Sequence, residues 1–241
     1  MPSAEHDFKV NTEAYYVLLR NGTTVGDFLE GFKRIISHVK KAGLIDQYRL
    51  AKKESGIDLK RLRDEVSPVA RFVGAHAQPD DRICFALGDS YPDCIVCDRD
   101  GRKREIEVTV IRAKERLALM DTLNRTGEVR GIVNLPDDAA LRAFTNYAER
   151  TSDPDAAEAY STDQIGCLII GAVGKCARRK ARHQADILLI EVLPDMHTLA
   201  ADRWRSLQKP LSRNAEVKRL SFSEVYVVGR GDDGDICLRI K

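Results

Sequence analysis

The chain has 241 residues, 43% of them apolar and 32% charged, which is enough to bury one substantial core with a small appended region. Its formal net charge of +2 excludes a generally basic nucleic-acid-binding coat, so any basic surface must come from local clustering. No apolar run reaches the roughly 18 residues that cross a bilayer, and the start MPSAEHDFKV lacks the apolar stretch of a secretion signal, so we expect a soluble cytoplasmic protein without a membrane partner.

Residues 1–58 are predicted to form an N-terminal helical region. Apolar residues recur at spacings of three and four through VGDFLEGFKRIISHVKK, which Thr23 or Thr24 can cap and Gly43 can end. A second helical segment, LIDQYRLAKKE, follows directly. These helices are the candidate surface for a homodimer.

The main domain is predicted over residues 59–241. A helix through LKRLRDEVSPVARFVGA, perturbed by Pro68, precedes three short β-rich segments, RICFALG, DCIVCD and REIEVTVI. A helix, RAKERLALMDTLN, comes next, and the stretch at about 125–163 is interpreted as an insertion around one short helix.

The last third of the chain alternates helices and strands. A long helix with a cationic end, DQIGCLIIGAVGKCARRKARHQ, leads into a buried strand, ADILLIEVL. A helix near LAADRWRSLQK and the strands SEVYVVG and ICLRIK complete the order. We therefore predict an α/β fold, a mixed sheet with helices on both faces.

The cysteines are predicted to be reduced. Six are present, and most lie within apolar segments, where a thiol behaves as a small apolar side chain. Cys94 and Cys97 form a CxxC pair, but no second pair completes a zinc site. Within a strand, side chains three positions apart also point to opposite faces. Packing is the favoured interpretation.

The stretch YPDCIVCDRDGRKREIEVTV places acids on two strands around a glycine turn. If the loop has two residues, Asp93 opposes Val108 and lies on the face away from Glu107. If it has three residues, ending on Gly101 in the left-handed region, Asp93 opposes Glu107 with Cβ atoms roughly 4.5 to 5.5 Å apart. Glycine at the third loop position favours the second register.

The second strand of this hairpin is predicted to have an acidic face. Alternation places Glu105, Glu107 and Thr109 on one side and apolar residues on the other. Facing carboxylates suit magnesium, with manganese as an alternative, and a metal-held water can attack a phosphodiester. The competing interpretation is a half-exposed hairpin with its charges in solvent.

These residues resemble the motif of the PD-(D/E)XK nuclease superfamily, in which Pro-Asp on one strand precedes Glu-x-Lys on the next. Pro92 and Asp93 match the first half, Glu107 matches the acid of the second, and Thr109 stands where the lysine would be. The resemblance covers residues 59–228 and implies the restriction-endonuclease-like core of helix, three strands, helix and strand. It also implies magnesium-dependent hydrolysis of phosphodiester bonds, with DNA as the expected substrate.

The resemblance implies roles for the acids. Asp93 and Glu107 would be the metal ligands, and Glu65 on the preceding helix would be an auxiliary ligand. Glu105 is a further candidate. Thr109 would position the water, but a neutral hydroxyl cannot supply the charge of the missing lysine.

Lys180 on the basic helix is the first candidate to replace that lysine, and Lys114 is the second. The alternative for Lys180 is an exposed cation that complements the dipole at the end of its helix. If no cation replaces the lysine, the chain would be a catalytically inactive nuclease-fold protein that binds nucleic acid or serves in an assembly.

Other polar residues have plainer interpretations. His76 and His183 have no obvious His or Cys partner and are interpreted as surface or structural residues, and Asp186 as a cap or turn residue. A cluster of basic residues on the helix that ends in ARRKARHQ could follow a phosphate backbone. The alternative interpretation is a solvated helix face. These candidate nucleic-acid-binding residues are Lys175, Arg178, Arg179 and Arg182, together with Lys114.

Overall fold

A computed structural model describes residues 4–43, 59–87, 91–111, 162–192, 200–231 and 234–241. Seven strands form one sheet in which they lie side by side in chain order. The first four are antiparallel neighbours, the fourth to the sixth run parallel, and the seventh is antiparallel to the sixth. The strands are β1 Thr23–Thr24, β2 Arg82–Phe85, β3 Cys94–Cys97, β4 Lys103–Ile111, β5 Ile187–Val192, β6 Glu224–Gly231 and β7 Gly234–Arg239.

Helices cover both faces of this sheet, which confirms the predicted α/β class. None of the helices in the described part of the chain is long and apolar enough to span a membrane. The helices are α1 Ala4–Asn21, α2 Val25–Lys41, α3 in the consecutive segments Leu59–Arg61, Leu62–Val66 and Ser67–His76, α4 Thr162–Lys180, α5 Ala201–Arg213 and α6 Ala215–Lys218.

The N-terminal helices pack on the sheet. Leu19 of α1, Phe28 of α2 and Phe72 of α3 lie in one buried cluster with Ile106 and Ile187 of the sheet. Strand β1, between α1 and α2, also pairs with β2. The predicted cap of α2 is confirmed, because the Thr24 hydroxyl accepts a hydrogen bond from the Asp27 amide at 3.1 Å.

The opposite face is covered by α4, α5 and α6. Val173 of α4, Trp204 of α5 and Val217 of α6 pack in a second buried cluster with Leu188 and Ile190 of β5. Alternation along the strands sends neighbouring side chains to different clusters. Glu107 therefore lies on the α4 side of the sheet, between Ile106 and Val108, which point to the α1–α3 side.

The predicted disturbance of α3 by Pro68 is confirmed. Proline has no N–H to donate and its ring crowds the carbonyl four residues earlier, so a regular α-helical turn cannot pass through it. The helix widens to a π-helical turn at Leu62–Val66, where the Ser67 amide bonds to the Leu62 carbonyl. Regular α-helix resumes at Ser67–His76.

Three predicted segments lie outside the described residues. These are the second N-terminal helix at 44–54, the helix at 112–124 with Lys114, and residues 125–161 of the insertion. All six cysteines lie inside the described ranges and are free thiols.

A buried carboxylate joins α3 to the sheet. Glu191 of β5 is 1% exposed and forms an ion pair with Arg71 of α3, whose Nε also lies 3.1 Å from Asp235 of β7. Burial raises the pKa of Glu191 to about 7 from an ordinary 4.5, although the Arg71 charge lowers it. The folded protein therefore holds a proton on Glu191 at pH values where the unfolded chain has released it.

The stability contribution of this proton should be present below pH 4.5 and lost as the pH rises towards about 7. Replacing Glu191 with Gln removes this titration. Between pH 4.5 and about 7, the unfolding free energy of the unmodified protein should therefore fall relative to that of Glu191→Gln, by up to about 1.4 kcal/mol per pH unit. Loss of the Arg71 ion pair shifts the whole curve. Urea unfolding at several pH values measures the difference, and a pH-independent difference would contradict the assignment.

Candidate active site

The hairpin between β3 and β4 has a three-residue loop. Gly101 has a φ of +79°, in the left-handed region, and the Asp98 amide donates to the Arg102 carbonyl at 3.1 Å. Continuing the register of β3 with β4 places Asp93 opposite Glu107. The three-residue prediction is confirmed, and the alternative two-residue register is excluded.

Asp93 immediately precedes β3 and is held against β4. Its Oδ2 accepts a hydrogen bond from the Val108 amide at 2.7 Å. The pKa of the Asp93 carboxyl is raised to about 6, mainly by burial and also by the Glu107 charge, while the Val108 amide, Lys180 and His183 act to lower it. Glu107 and Asp93 are therefore close enough to affect each other's charge.

Glu107 is buried under the end of α4 and is only 4% exposed. Lys180 donates a hydrogen bond from Nζ to Oε1 of Glu107, and His183 Nδ1 lies 3.3 Å from the same oxygen. The interpretation of the hairpin charges as solvated is wrong for Glu107, because α4 covers this face of the sheet. A buried carboxylate requires such partners, since burial of an unpaired charge is costly.

Topology brings Lys180 to this position. After β4 the chain passes through α4 and enters β5 parallel to β4, and β5 begins opposite Ile106, so the end of α4 lies beside the middle of β4. Lys180 is the last residue of α4 and is largely covered. The ion pair rules out the alternative of an exposed cation, whereas the catalytic role of Lys180 stays a prediction.

His183 was not identified as a site residue from the sequence. It follows Lys180 by three positions, and both contact Glu107. The Tyr91 ring packs edge-on against His183 with centroids 5.6 Å apart. A spacing of three at the end of a helix indicates a shared side, which is the signal that could have found His183.

Tyr91 completes one side of this group. Burial raises the pKa of its hydroxyl to about 12, and the charges of Glu107, Glu105 and Asp186 raise it as well, while a backbone hydrogen bond with Gln184 lowers it. The Tyr91 hydroxyl therefore stays protonated at neutral pH. It can donate a hydrogen bond beside His183.

The neighbouring acids have different positions. Glu105 is half-buried, and its amide donates to Asp186 Oδ2 at 2.9 Å, which supports the interpretation of Asp186 as a turn residue. Thr109 is half-buried on the same strand and the same face as Glu107, beside Ile190 of β5. A hydroxyl there can bond a water but cannot replace the lysine charge.

Glu65 does not join the two facing acids. It belongs to α3, whose apolar residues pack on the other face of the sheet, and it lies 3.9 Å from Arg61 Nε. Over the described ranges, no three His, Cys, Asp or Glu side chains are grouped so that they could hold a metal ion together. The auxiliary-ligand role predicted for Glu65 therefore has no geometric support.

Among the lysines and arginines from Lys175 to Arg182, at the end of α4 and in the turn after it, Lys180 is largely covered and the others are exposed. The exposed residues are Lys175, Arg178, Arg179 and Arg182. Arg178 forms an ion pair with Glu216 of α6 at 3.2 Å, which reduces its capacity for phosphate. The other three remain candidates for phosphate contacts.

Asp93 and Glu107 supply the kind of oxygen ligand that magnesium takes. Magnesium takes oxygen ligands, keeps several waters and is commonly held by one or two carboxylates together with substrate phosphates. The mutual repulsion that contributes to the raised pKa of Asp93 is the kind that a divalent cation relieves. Lys180 and His183 both contact Oε1 of Glu107, so one oxygen of that carboxylate takes both cationic partners.

The pKa of Asp93 provides a direct test of this arrangement in the metal-free protein. It should be about 6. Lys180→Met should raise it, because a cation that favours the carboxylate is lost, and Glu107→Gln should lower it, because a like charge is lost. Carboxyl chemical shifts followed against pH by NMR measure these changes. A pKa near the ordinary 3.8, or one unchanged in both variants, would contradict the described contacts.

Comparison of the chain with known protein families, curated proteins and solved structures finds no match. A fold class by itself hosts many unrelated functions, so the α/β architecture does not specify an activity. The function has to be argued from Asp93, Glu107, Lys180 and their surroundings.

Proposed function

We propose that the protein is a magnesium-dependent nuclease of the PD-(D/E)XK type, which hydrolyses phosphodiester bonds in DNA. The order α3, β2, β3, β4, α4 and β5 corresponds to the helix, three strands, helix and strand of that superfamily. The strands β2 to β5 also lie side by side in this order. The restriction-endonuclease-like fold is part of the proposal.

The observation that carries the proposal is the meeting of three side chains from three segments. Asp93 precedes β3, Glu107 lies in the middle of β4, and Lys180 ends α4. Glu107 lies 14 positions after Asp93, and Lys180 lies 73 positions after Glu107. Two acids and one cation are the groups that the superfamily motif requires, and the cation comes from the helix instead of from position 109.

Each residue would have a defined task. Asp93 and Glu107 would hold magnesium, which supplies an activated water and neutralises charge on the phosphate. Hydrolysis adds the water oxygen to phosphorus and breaks the bond to the leaving oxygen, which takes up a proton. Lys180 would stabilise the negative charge that develops in this step, because a cation acts more strongly in a partly buried site than in water.

Thr109 and Tyr91 would contribute hydrogen bonds. Thr109 lies two residues beyond Glu107 on the same face of β4, where its hydroxyl can orient a water. Tyr91 keeps its hydroxyl proton at neutral pH and can donate to a phosphate oxygen. Neither supplies charge, so the proposal depends on Lys180 for the positive group.

The test is cleavage by the purified protein. Supercoiled plasmid DNA and linear DNA are incubated with the protein and magnesium, with EDTA in parallel reactions. The proposal expects metal-dependent cleavage that is lost in Asp93→Asn. Cleavage that persists in Asp93→Asn, or the absence of cleavage with magnesium and with manganese, would refute it.

A second candidate is an inactive nuclease-fold protein that binds nucleic acid or serves in an assembly. The observation that favours it is the pairing of Glu107 with Lys180 and His183, which compensates the carboxylate without a metal ion. Titration calorimetry with magnesium separates the two candidates. Heat that depends on Asp93 and Glu107 supports the nuclease, and no binding supports the inactive protein.

A further inference from the structure

Several exposed basic residues lie at the end of the sheet where β4, β5 and β6 begin. They lie around the start of β4, the end of α4 and the end of α6, and we call this group the cationic rim. Its members are Arg102, Lys103, Arg179, Arg182, Lys218 and Arg219, all exposed.

Hydrogen bonds fix these three segments beside one another. The connection from α4 to β5 contacts β4 on one side, because Asp186 Oδ2 accepts from the Glu105 amide at 2.9 Å. On its other side, the Ser221 hydroxyl donates to the His183 carbonyl at 2.6 Å, and the Glu224 amide donates to the Asp186 carbonyl at 3.0 Å. The rim segments therefore flank the α4–β5 connection, which carries His183 beside Glu107.

Most acidic side chains in these segments form hydrogen bonds or ion pairs within the protein. Asp98 Oδ1 accepts from the Asp100 and Arg102 amides at 3.0 and 2.9 Å, which closes the hairpin loop. Asp186 bonds to β4, and Glu216 pairs with Arg178. Asp98 and Asp186 keep their negative charge when they accept hydrogen bonds from amides, and Asp100 is exposed, so the six basic residues of the rim outnumber these three acids.

The extent of the rim matches a duplex. It runs from the start of β4 to the start of β6, which spans two strand spacings or roughly 10 Å, and the long lysine and arginine side chains extend this reach. A groove of duplex DNA is about 12 Å wide on its broad side, so the two ends of the rim can contact phosphates on opposite strands. Single-strand binders instead use exposed aromatic side chains, on which the bases stack.

Few aromatic side chains are exposed near the rim in the described ranges. The large apolar side chains exposed in the described ranges are Val17, Leu18 and Tyr91, and of these only Tyr91 lies near the rim. We propose that the cationic rim binds the phosphate backbone of a nucleic-acid duplex across the Asp93–Glu107 site. The placement of a scissile phosphate over the acids rests on the proposed nuclease function, whereas binding by the rim does not require cleavage.

The test measures binding without catalysis. A short fluorescein-labelled DNA duplex and one of its strands alone are titrated with protein in EDTA at several salt concentrations between about 50 and 200 mM. The variants are Arg102→Gln/Lys103→Gln on the hairpin and Lys218→Gln/Arg219→Gln at α6. The matched control is Lys33→Gln/Lys40→Gln, which removes two exposed charges from α2 on the other face of the sheet.

Each rim variant should weaken duplex binding by about ten- to a hundredfold and reduce the slope of log affinity against log salt by about two. The control should leave the slope unchanged. A wild-type slope in either rim variant, or an equal loss in the control, would overturn the proposal. Single-strand binding as tight as duplex binding would overturn the duplex assignment.

The two proposals fail separately. A protein that binds duplex through the rim but never cleaves DNA keeps this inference and loses the nuclease proposal. A protein that cleaves DNA while both rim variants bind like the unmodified protein keeps the nuclease proposal and loses this inference.

Discussion

Replacing Glu107 with Gln should reduce magnesium-dependent cleavage by about a thousandfold or more. Loss of a metal ligand removes several kcal/mol of charge stabilisation, and each 1.36 kcal/mol corresponds to a factor of ten in rate. Glutamine keeps the shape of this 4% exposed side chain, and its oxygen can still accept a hydrogen bond from Lys180, which is itself 21% exposed, so the fold should be preserved although the ion pair is lost. Single-turnover cleavage with saturating protein measures the effect on the chemical step.

Glu105→Gln is the matched control. Glu105 lies on the same strand and the same face, two residues before Glu107, and has the same charge, but it is only half-buried and lies opposite Ile95. The proposal expects Glu105→Gln to retain most of the activity. Equal losses in both variants would show that the acidic face acts only through its overall charge, which contradicts a specific role for Glu107.

Replacing Lys180 with Met should impair both stability and cleavage. Lys180 is 21% exposed and contacts the buried Glu107 carboxylate, so its loss leaves that charge without its ammonium partner. Breaking a buried ion pair in this way costs about 3 kcal/mol. Cleavage should fall by about a hundred- to a thousandfold, because the group that stabilises the developing charge is lost.

Magnesium should partly restore the stability of Lys180→Met. A divalent cation on Glu107 compensates the unpaired charge, so the shift in Tm on adding magnesium should be larger in the variant than in the unmodified protein. Lys175→Met is the control, because Lys175 is exposed on the same helix. Thermal unfolding with and without magnesium measures the shift, and a Lys180→Met protein as stable as its parent would contradict the described ion pair.

The hairpin could be predicted in detail because its geometry is local. Gly101 at the third loop position specifies the turn, and the turn fixes the pairing of every residue up to Asp93. The order of helices and strands was likewise readable from periodicity and turn residues. These features depend on residues that are close together in the sequence.

The burial of Glu107 could not be predicted because it depends on distant packing. Its burial requires α4 to cover the acidic face of β4, and the contact of His183 requires the end of α4 to meet the middle of β4. Alternation along one strand predicts which residues share a face but not what covers that face. The absence of Glu65 from the site has the same origin, since α3 packs on the other side.

If Asp93 and Glu107 share a metal ion, a crystal grown with manganese will show it directly. Anomalous scattering locates manganese without reference to the protein chemistry. We expect a peak between the two carboxylates, with Lys180 beside Glu107, and no peak there in Asp93→Asn crystals. Anomalous density confined to other parts of the molecule, with Glu107 still bonded only to Lys180 and His183, would contradict it.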